Sequence, residues 1–363
     1  KALYDSLSRM SAAIREERFA PNIAYVNRRP AEFSALPLTI YGPAADTAPC
    51  QSPAGNYTIS FPSMSALLET YYAEKSSVTR IRQKSSDLRR IVQTALERNI
   101  KKYDLQLRQM KDTEKRETFR IYGELLNTYG YEAAPGTKSL EALNYYTNET
   151  VTIPLDPTLS ATENAKKYFE KYGKLKRTHE ALSQLTQEVK AEIDHLESVS
   201  TSLEIAQQEE DLTQIKDELI ESGYIRRKGG TKKQKITSRP FHYISSDGFH
   251  IYVGKNNYQN DELTFRLASG NDWWFHAKKI PGSHVVVKLD GAEELPDRTF
   301  EEAARLAAYY SKGRDQEKVE IDYVQKKHVK KPGGAKPGFV VYYTNYSMSI
   351  DSDISGIRLV KDE

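Results

Sequence analysis

Two stretches of this 363-residue chain hold most of the side chains that could meet a ligand. The first runs Asp272-Trp273-Trp274-Phe275-His276, then Lys278 and Lys279, a Pro281-Gly282-Ser283 turn, His284 and Val285-Val286-Val287. Aromatic and β-branched residues around turn chemistry predict two strands joined as a hairpin or tight corner. Alternation puts Trp273 and Phe275 on one face and Trp274 and His276 on the other. A buried hairpin whose rings fill a core is one reading, and it suits Trp273 and Phe275. For Trp274, with Lys278, Lys279, His276 and His284 beside it, a nucleic-acid contact is the competing one. The second stretch is Lys326 to Gly338, where Lys326, Lys327, Lys330, Lys331 and Lys336 share a loop with Gly333, Gly334 and Gly338. Backbone can approach a phosphate there while the side chains neutralise it. No Gly-Lys-Ser/Thr ends the loop and no helix follows, so it is not a nucleotide-binding P-loop.

Two further basic segments belong with these. Arg226, Arg227, Lys228, Lys232, Lys233 and Lys235 fall in the stretch Arg226 to Lys235, which has no apolar residue and is expected to stay disordered until an anion orders it. Gly254-Lys255-Asn256-Asn257 would let backbone amides face a phosphate beside Lys255, or make an ordinary tight turn.

Catalytic sets are missing by comparison. His242, His250, His276, His284 and His328 with Asp247, Asp272 or Asp322 could sketch a metal site, but none has a His-Glu-x-x-His spacing. There is no Gly-x-Ser-x-Gly elbow, and Cys50 lies in a Pro-rich loop without a basic neighbour. No catalytic residue, metal or cofactor is therefore assigned; His276 and His284 either brace the hairpin or touch RNA.

At the start of the chain, Ala2 to Arg18 has helical spacing, Asn22 to Asn27 and Ala35 to Tyr41 read as short strands, and Gly42 to Gly55 as a loop. From Ser63 to about Met110 no Pro or Gly interrupts a helical pattern. A returning helix begins near Ser160, with Glu163 in capping-box position. Heptads put Leu175, Leu182, Val189, Leu196 and Leu203 at the first core position and Thr178, Leu185, Glu192, Val199 and Ala206 at the second. About 45 residues per helix predict an arm of roughly 70 Å. Between the helices, at about 111–160, a tip module should hold a helix up to Gly130 and a hairpin of Tyr145-Tyr146-Thr147 with Thr150 to Leu155. A helix over Glu209 to Tyr224 follows, then the basic linker at 224–237.

The last domain, 238–363, reads as α/β, with strands at His242 to Ser245, His250 to Val253, Leu263 to Ala268, Trp273 to Lys278, Val285 to Leu289, Val319 to Val324 and Phe339 to Asn345. One helix, Phe300 to Lys312, is capped by Thr299, and Asp247-Gly248 signals a hairpin. The fold class is thus α+β: a long antiparallel coiled-coil hairpin with a small tip module, joined to a C-terminal α/β domain.

Net charge is +3, but 24 Lys+Arg face 18 Asp+Glu from Tyr224 onward, so the C-terminal part is the cationic one and favours polyanions. A single cysteine excludes an internal disulfide framework, no apolar run approaches a membrane span, and cytosol is the natural compartment.

The run DGFHIYVGKNNYQNDELTFRLASGNDWWFHAKKIPGSHVVVK (Asp247 to Lys288), continued by EEAARLAAYYSK (Glu301 to Lys312) and KKHVKKPGGAKPG, resembles the C-terminal RNA-associated module (NFACT-R) of the NFACT family. Upstream, GELLNTYG, NYYT and NAKKYFEKYGKLKRT resemble its bacterial branch. The resemblance implies a ribosome-associated quality-control factor that binds large subunits holding a stalled peptidyl-tRNA. It would recruit tRNA for template-free alanine tailing, while the ribosome does the peptidyl transfer. It implies an arm whose tip reaches a stalk-base protein, and a basic domain near tRNA or ribosomal RNA. On it, 1–62 is a connector of an N-terminal module expected upstream of Lys1. A fibronectin-binding surface adhesin and a coiled-coil scaffold whose last domain binds protein are the alternatives, and self-association of the chain is a further expectation.

Overall fold

Helix α1 (Ala2–Arg15), strands β1 (Asn22–Val26), β2 (Arg29–Ser34) and β3 (Tyr57–Ser60) and helix α2 (Met64–Asp112) open the computed structural model, which describes residues 2–26, 29–38, 57–226 and 238–360. Of the strand expected at Ala35 to Tyr41, residues 39–41 lie outside the described residues and Ala35 to Leu38 form none; the strand lies earlier, as β2, where Phe33 pairs beside Ile23 and turns toward Tyr71. The chain orders these strands β2-β1-β3. Ile23, Tyr25 and Tyr57 close against Leu67 and Tyr71 in the first turns of α2. These residues therefore have a core of their own. The Gly42–Gly55 loop, with Cys50, lies outside the described residues. Helix α2 starts where Ser63 predicts: its hydroxyl accepts from the Ala66 amide at 3.2 Å.

After a 3-10 turn come α3 (Arg116–Tyr129), β4 (Ser139–Asn144), β5 (Glu149–Pro154), α4 (Ala161–Ile205) and α5 (Glu209–Glu221). The chain divides into two compact units, Lys1–Ala95 with His195–Glu363 and Leu96–Asp194. In the second unit, Leu125 and Leu126 of α3 pack on Leu140, Ala142 and Ile153 of the hairpin and on Ala165 and Tyr168 of α4. Gly123 is required here, since a Cβ would lie 2.8 Å from the Phe169 ring. The hairpin's first strand falls earlier than Tyr145 to Thr147, because Leu140 and Ala142 alternate inward. Tyr145 and Tyr146 are left exposed in the turn, where Asn148 has φ 56°. The Ser160–Glu163 capping box forms in both directions, at 2.8 and 3.2 Å.

Along α4 the first heptad positions from Leu182 to Leu203 are buried as expected, and so is Val199 of the second set, but the second set shifts by one residue at Leu185 and Glu192. Leu185 is 42% exposed, and Thr186 and Ile193 are buried in place of Leu185 and Glu192. The buried spacing 182-186-189-193-196 still averages 3.5, so the seam survives with its alternate position displaced. In the first unit, Arg89 of α2 donates to the Leu203 carbonyl, and Arg80 and Lys84 flank Glu209 at the start of α5.

The C-terminal domain contributes β6 (Phe241–Ile244), β7 (His250–Val253), α6 (Asn257–Glu262), β8 (Trp273–Ala277), β9 (Val285–Val287), α7 (Asp297–Tyr309), β10 (Val319–Gln325), β11 (Val329–Lys330), β12 (Val341–Tyr342), β13 (Tyr346–Ile350) and β14 (Arg358–Leu359). Seven strands in the order β13-β10-β8-β9-β7-β6-β14 form one antiparallel sheet. Helix α7 covers one face, burying Ala303, Ala304, Leu306 and Ala307 against Ile251, Val253, Phe275, Val285, Val287 and Ile321. It begins at Asp297 with Pro296 before it. Thr299, expected as the cap, instead donates to Asp247 at 2.7 Å and ties the β6–β7 turn to the helix.

The strand expected at Leu263 to Ala268 is helical: α6 runs into a π-helical turn, Leu263–Leu267. The Asn256 side chain accepts from the Gln259 amide at 3.0 Å and nucleates this helix, and the Ala268 amide closes it on the Leu263 carbonyl at 2.9 Å. The strand expected at Phe339 to Asn345 is broken, with β12 leaving to pair β11 and Thr344 turning the chain at φ 58° into β13. Among the described residues no helix is long and apolar enough to cross a membrane.

Candidate nucleic-acid interface

Alternation along β8 sorts the rings as the sequence predicts, yet both faces are covered. Trp273 and Phe275 meet Phe300 of α7 at ring-centroid distances of 4.7 and 5.9 Å. Trp274, 0% exposed, lies under a second layer made by Leu263, Ala268, Val286, Val324 and Val329. Its ring meets those of Tyr342 at 5.0 Å, His284 at 5.1 Å and His276 at 5.7 Å. The expected nucleic-acid contact of Trp274 is therefore corrected: the π-turn and the β11–β12 ribbon seal it. His284 is buried too. Its Nδ1 lies 2.7 Å from the Thr264 hydroxyl, and its amide donates to Asn260 Oδ1 at 3.0 Å. Burial, then the neighbouring His276, holds the His284 ring well below its ordinary pKa; burial lowers His276 likewise. His284 is thus a strut of the hairpin, and its RNA alternative gives way to the bracing one, whereas His276 stays half-buried.

The Gly254-Lys255-Asn256-Asn257 turn faces inward as well, which overturns the phosphate reading of Lys255. Lys255 is buried, with its ammonium 3.4 Å from Asp211 Oδ1 and 4.6 Å from the centre of the Phe241 ring. Asn256 donates to Gln214. Asn257 donates to Glu218 at 2.7 Å and to the Ser198 hydroxyl at 2.8 Å, while Gln259 donates to Gln214 and Ser238, each at 2.8 Å. These amides join the C-terminal domain to α4 and α5 within the first unit. The cost of burying Glu218 raises its pKa to about 7, with the Asn257 amide acting the other way. Gly254 permits the close approach: a Cβ there would sit 2.1 Å from Asn260 Oδ1.

Outside this sealed interior lies the basic surface. Lys327 and Lys330 are exposed. Lys326 is half-buried, its ammonium 5.6 Å from the centre of the Phe265 ring. Lys331 pairs with Asp261, whose other oxygen accepts the Gly338 amide at 3.1 Å. Lys336 is half-buried near Glu218, where its charge lowers the carboxyl's pKa. Lys331 and Lys336 thus face carboxylates of the fold, while among the described residues no salt bridge holds Lys326, Lys327 or Lys330. Lys279 is exposed at φ 57°. Lys278 reaches Glu320 at 3.6 Å, Asp322 at 3.7 Å and the Ser347 hydroxyl at 3.1 Å, so its charge is largely offset. Arg226 is exposed, and Arg227, Lys228, Lys232, Lys233 and Lys235 lie outside the described residues.

From Tyr323 to Ile350 there are 28 residues with five lysines and no carboxylate. Three exposed rings stand within them: Tyr346, which stacks on Tyr323 at 5.6 Å, and Phe339 at 51% and Tyr343 at 65% exposure, which were not among the expected contacts. The signal for Phe339 and Tyr343 was the alternation Phe339-Val341-Tyr343 against Val340-Tyr342. The surface suits electrostatic holding of a polyanion. His242 and His250 touch each other, Nε2 to Nδ1 at 2.7 Å, and among the described residues no group of three or more His, Cys, Asp or Glu could hold a metal ion.

Residues 1–238 match the family model described as NFACT N-terminal and middle domains, and residues 239–343 match the NFACT protein RNA binding domain. The chain belongs to the NFACT family. Among NFACT relatives, the Rqc2 homolog RqcH of Streptococcus pneumoniae is 42% identical over 302 residues, 83% of this chain and 54% of the relative. The Rqc2 homolog RqcH of Bacillus subtilis is 37% identical over 362 residues, 98% of this chain and 60% of the relative. The chain thus spans little more than half the length of these relatives. A solved structure, the C-terminal part of the fibronectin/fibrinogen-binding protein from Streptococcus suis, is 38% identical, with a TM-score of 0.60. It covers 75% of this chain and 95% of that one. The inward GKNNYQND and DWWFH residues that carried the NFACT resemblance are the ones that hold the domain together.

Proposed function

We propose that this chain acts in ribosome-associated quality control, holding a large ribosomal subunit through RNA contacts made by Lys326, Lys327 and Lys330. The observation that carries the reading is the lysine-bearing segment from Tyr323 to Ile350, which has no carboxylate of its own, on the part of the chain that matches an RNA-binding domain. Support comes from relatives whose names place them with Rqc2, and from a relative called a ribosome quality control complex subunit NEMF homolog in Drosophila melanogaster, 25% identical over 175 residues, 48% of this chain and 16% of that relative. On this reading the whole protein supports tRNA recruitment for alanine tailing of stalled chains in the cytoplasm. The exposed tip tyrosines Tyr131, Tyr145 and Tyr146 then meet a stalk-base protein.

Co-sedimentation with purified large subunits tests it. The chain is expected to pellet with large subunits in low salt and to be released as salt rises; replacing Tyr131, Tyr145 and Tyr146 with Ser should weaken retention at any salt. Binding to immobilised fibronectin with no retention on subunits would favour the adhesin reading and reject this one. Retention that ignores salt would reject the RNA contact.

A further inference from the structure

Strand pairing sets Lys330 opposite Val341 and Val329 opposite Tyr342. Val329, Val340 and Tyr342 turn inward, onto the layer over Trp274. Side chains alternate along extended chain, so Phe339, Val341 and Tyr343 on one side of the ribbon, and His328 and Lys330 on the other, turn outward. The exposures agree: Phe339 and Tyr343 stand open to solvent beside exposed Lys327, His328 and Lys330. The ribbon thus has one face that closes the domain and another that displays two rings among cations. The tyrosine at 342 seals the fold, and its neighbour at 343 has no part in doing so. With no carboxylate between Tyr323 and Ile350 to receive a basic partner, the charge selects a polyanion, and the rings select one that offers flat apolar faces.

We propose that the outer face of the β11–β12 ribbon binds unpaired nucleotides, with Phe339 and Tyr343 stacking on bases while Lys327 and Lys330 contact the flanking phosphates. In a duplex the base faces are already stacked on one another, so only a single strand, loop or bulge can use both rings. The inference rests on the RNA reading above and narrows its ligand.

Fluorescence anisotropy with the full chain separates the two. The probes are a labelled single-stranded oligouridylate and a labelled RNA duplex of the same length, each titrated across salt. The double variant Phe339→Ala with Tyr343→Ala is expected to lose at least about tenfold in affinity for the single strand. It should keep the wild-type slope of log affinity against log salt and keep its duplex affinity. Should the alanine variant melt early, Phe339→Leu with Tyr343→Leu removes the rings while keeping apolar bulk and should show the same loss. Unchanged single-strand affinity overturns the stacking role, as does an equal loss on the duplex. Loss of large-subunit binding with both RNA affinities intact assigns the face to a protein and also overturns it. A wild-type chain that binds neither probe overturns the RNA reading itself.

Discussion

Trp274→Ala is expected to lower the stability of the C-terminal domain by about 3–5 kcal/mol, as large-to-small changes at sealed aromatic sites do. The ring is wholly enclosed, and three other rings rest on it. Its removal opens a cavity beneath the π-turn and the β11–β12 ribbon. Urea unfolding followed by far-UV circular dichroism measures the loss. Trp274→Phe is the informative companion. The indole Nε1 has no hydrogen-bond partner in the interior, so a phenyl ring forfeits area but no bond and should cost less than about 1.5 kcal/mol. At a temperature where both variants stay folded, RNA affinity should match wild type. A Trp274→Ala domain as stable as wild type but unable to bind RNA would mean that the indole meets the ligand after all.

The second large effect is on binding. Replacing Lys326, Lys327 and Lys330 together with Ala removes three cations that no salt bridge holds among the described residues, while Lys331 and Lys336 still face carboxylates of the fold. Each phosphate contact contributes about 0.7–0.9 to the slope of log affinity against log salt, so the slope should fall by about 2–3. At about 0.15 M salt that corresponds to roughly a hundredfold weaker binding. The melting temperature should stay put, because among the described residues the three side chains pair with no carboxylate that the fold needs. Lys331→Ala is the contrast: it releases Asp261, and so the Gly338 end of the loop, and should lower stability without a comparable fall in slope. An anisotropy titration in which the triple variant keeps both affinity and slope would reduce the loop to a solvated face.

Much of this arrangement was legible from the chain. Period-two alternation sorted Trp273 and Phe275 from Trp274 and His276, and the charge run marked Lys326 to Lys336. Alternation tells which residues share a face, however, and not whether that face meets water. Trp274 is covered by Val329, Val340 and Tyr342 from more than fifty residues downstream, and by a π-turn that a short apolar run cannot distinguish from a strand. The same distance hid the partner of Lys331, since Asp261 lies 70 residues earlier. Lys255 misled for a related reason. A lysine beside Gly and Asn signals an anion site only if its turn faces outward, and here Asp211 and the amides of α5 draw it in. In the long helices the first heptad set was readable from aliphatic residues alone. Its alternate set was not, because choosing Ile193 over Glu192 depends on which flank of the stripe meets the facing helix.

The most direct measurement is ultraviolet cross-linking of the chain bound to large ribosomal subunits, with the cross-linked peptides identified by mass spectrometry. The expected result is nucleotide adducts on peptides between Lys326 and Tyr343, with none on Trp273 to Ala277 or on Gly254 to Asn257. Adducts on those inward segments, with the Lys326–Tyr343 ribbon unmodified, would contradict the central claim that the domain turns its signature residues inward and meets RNA with the ribbon that covers them.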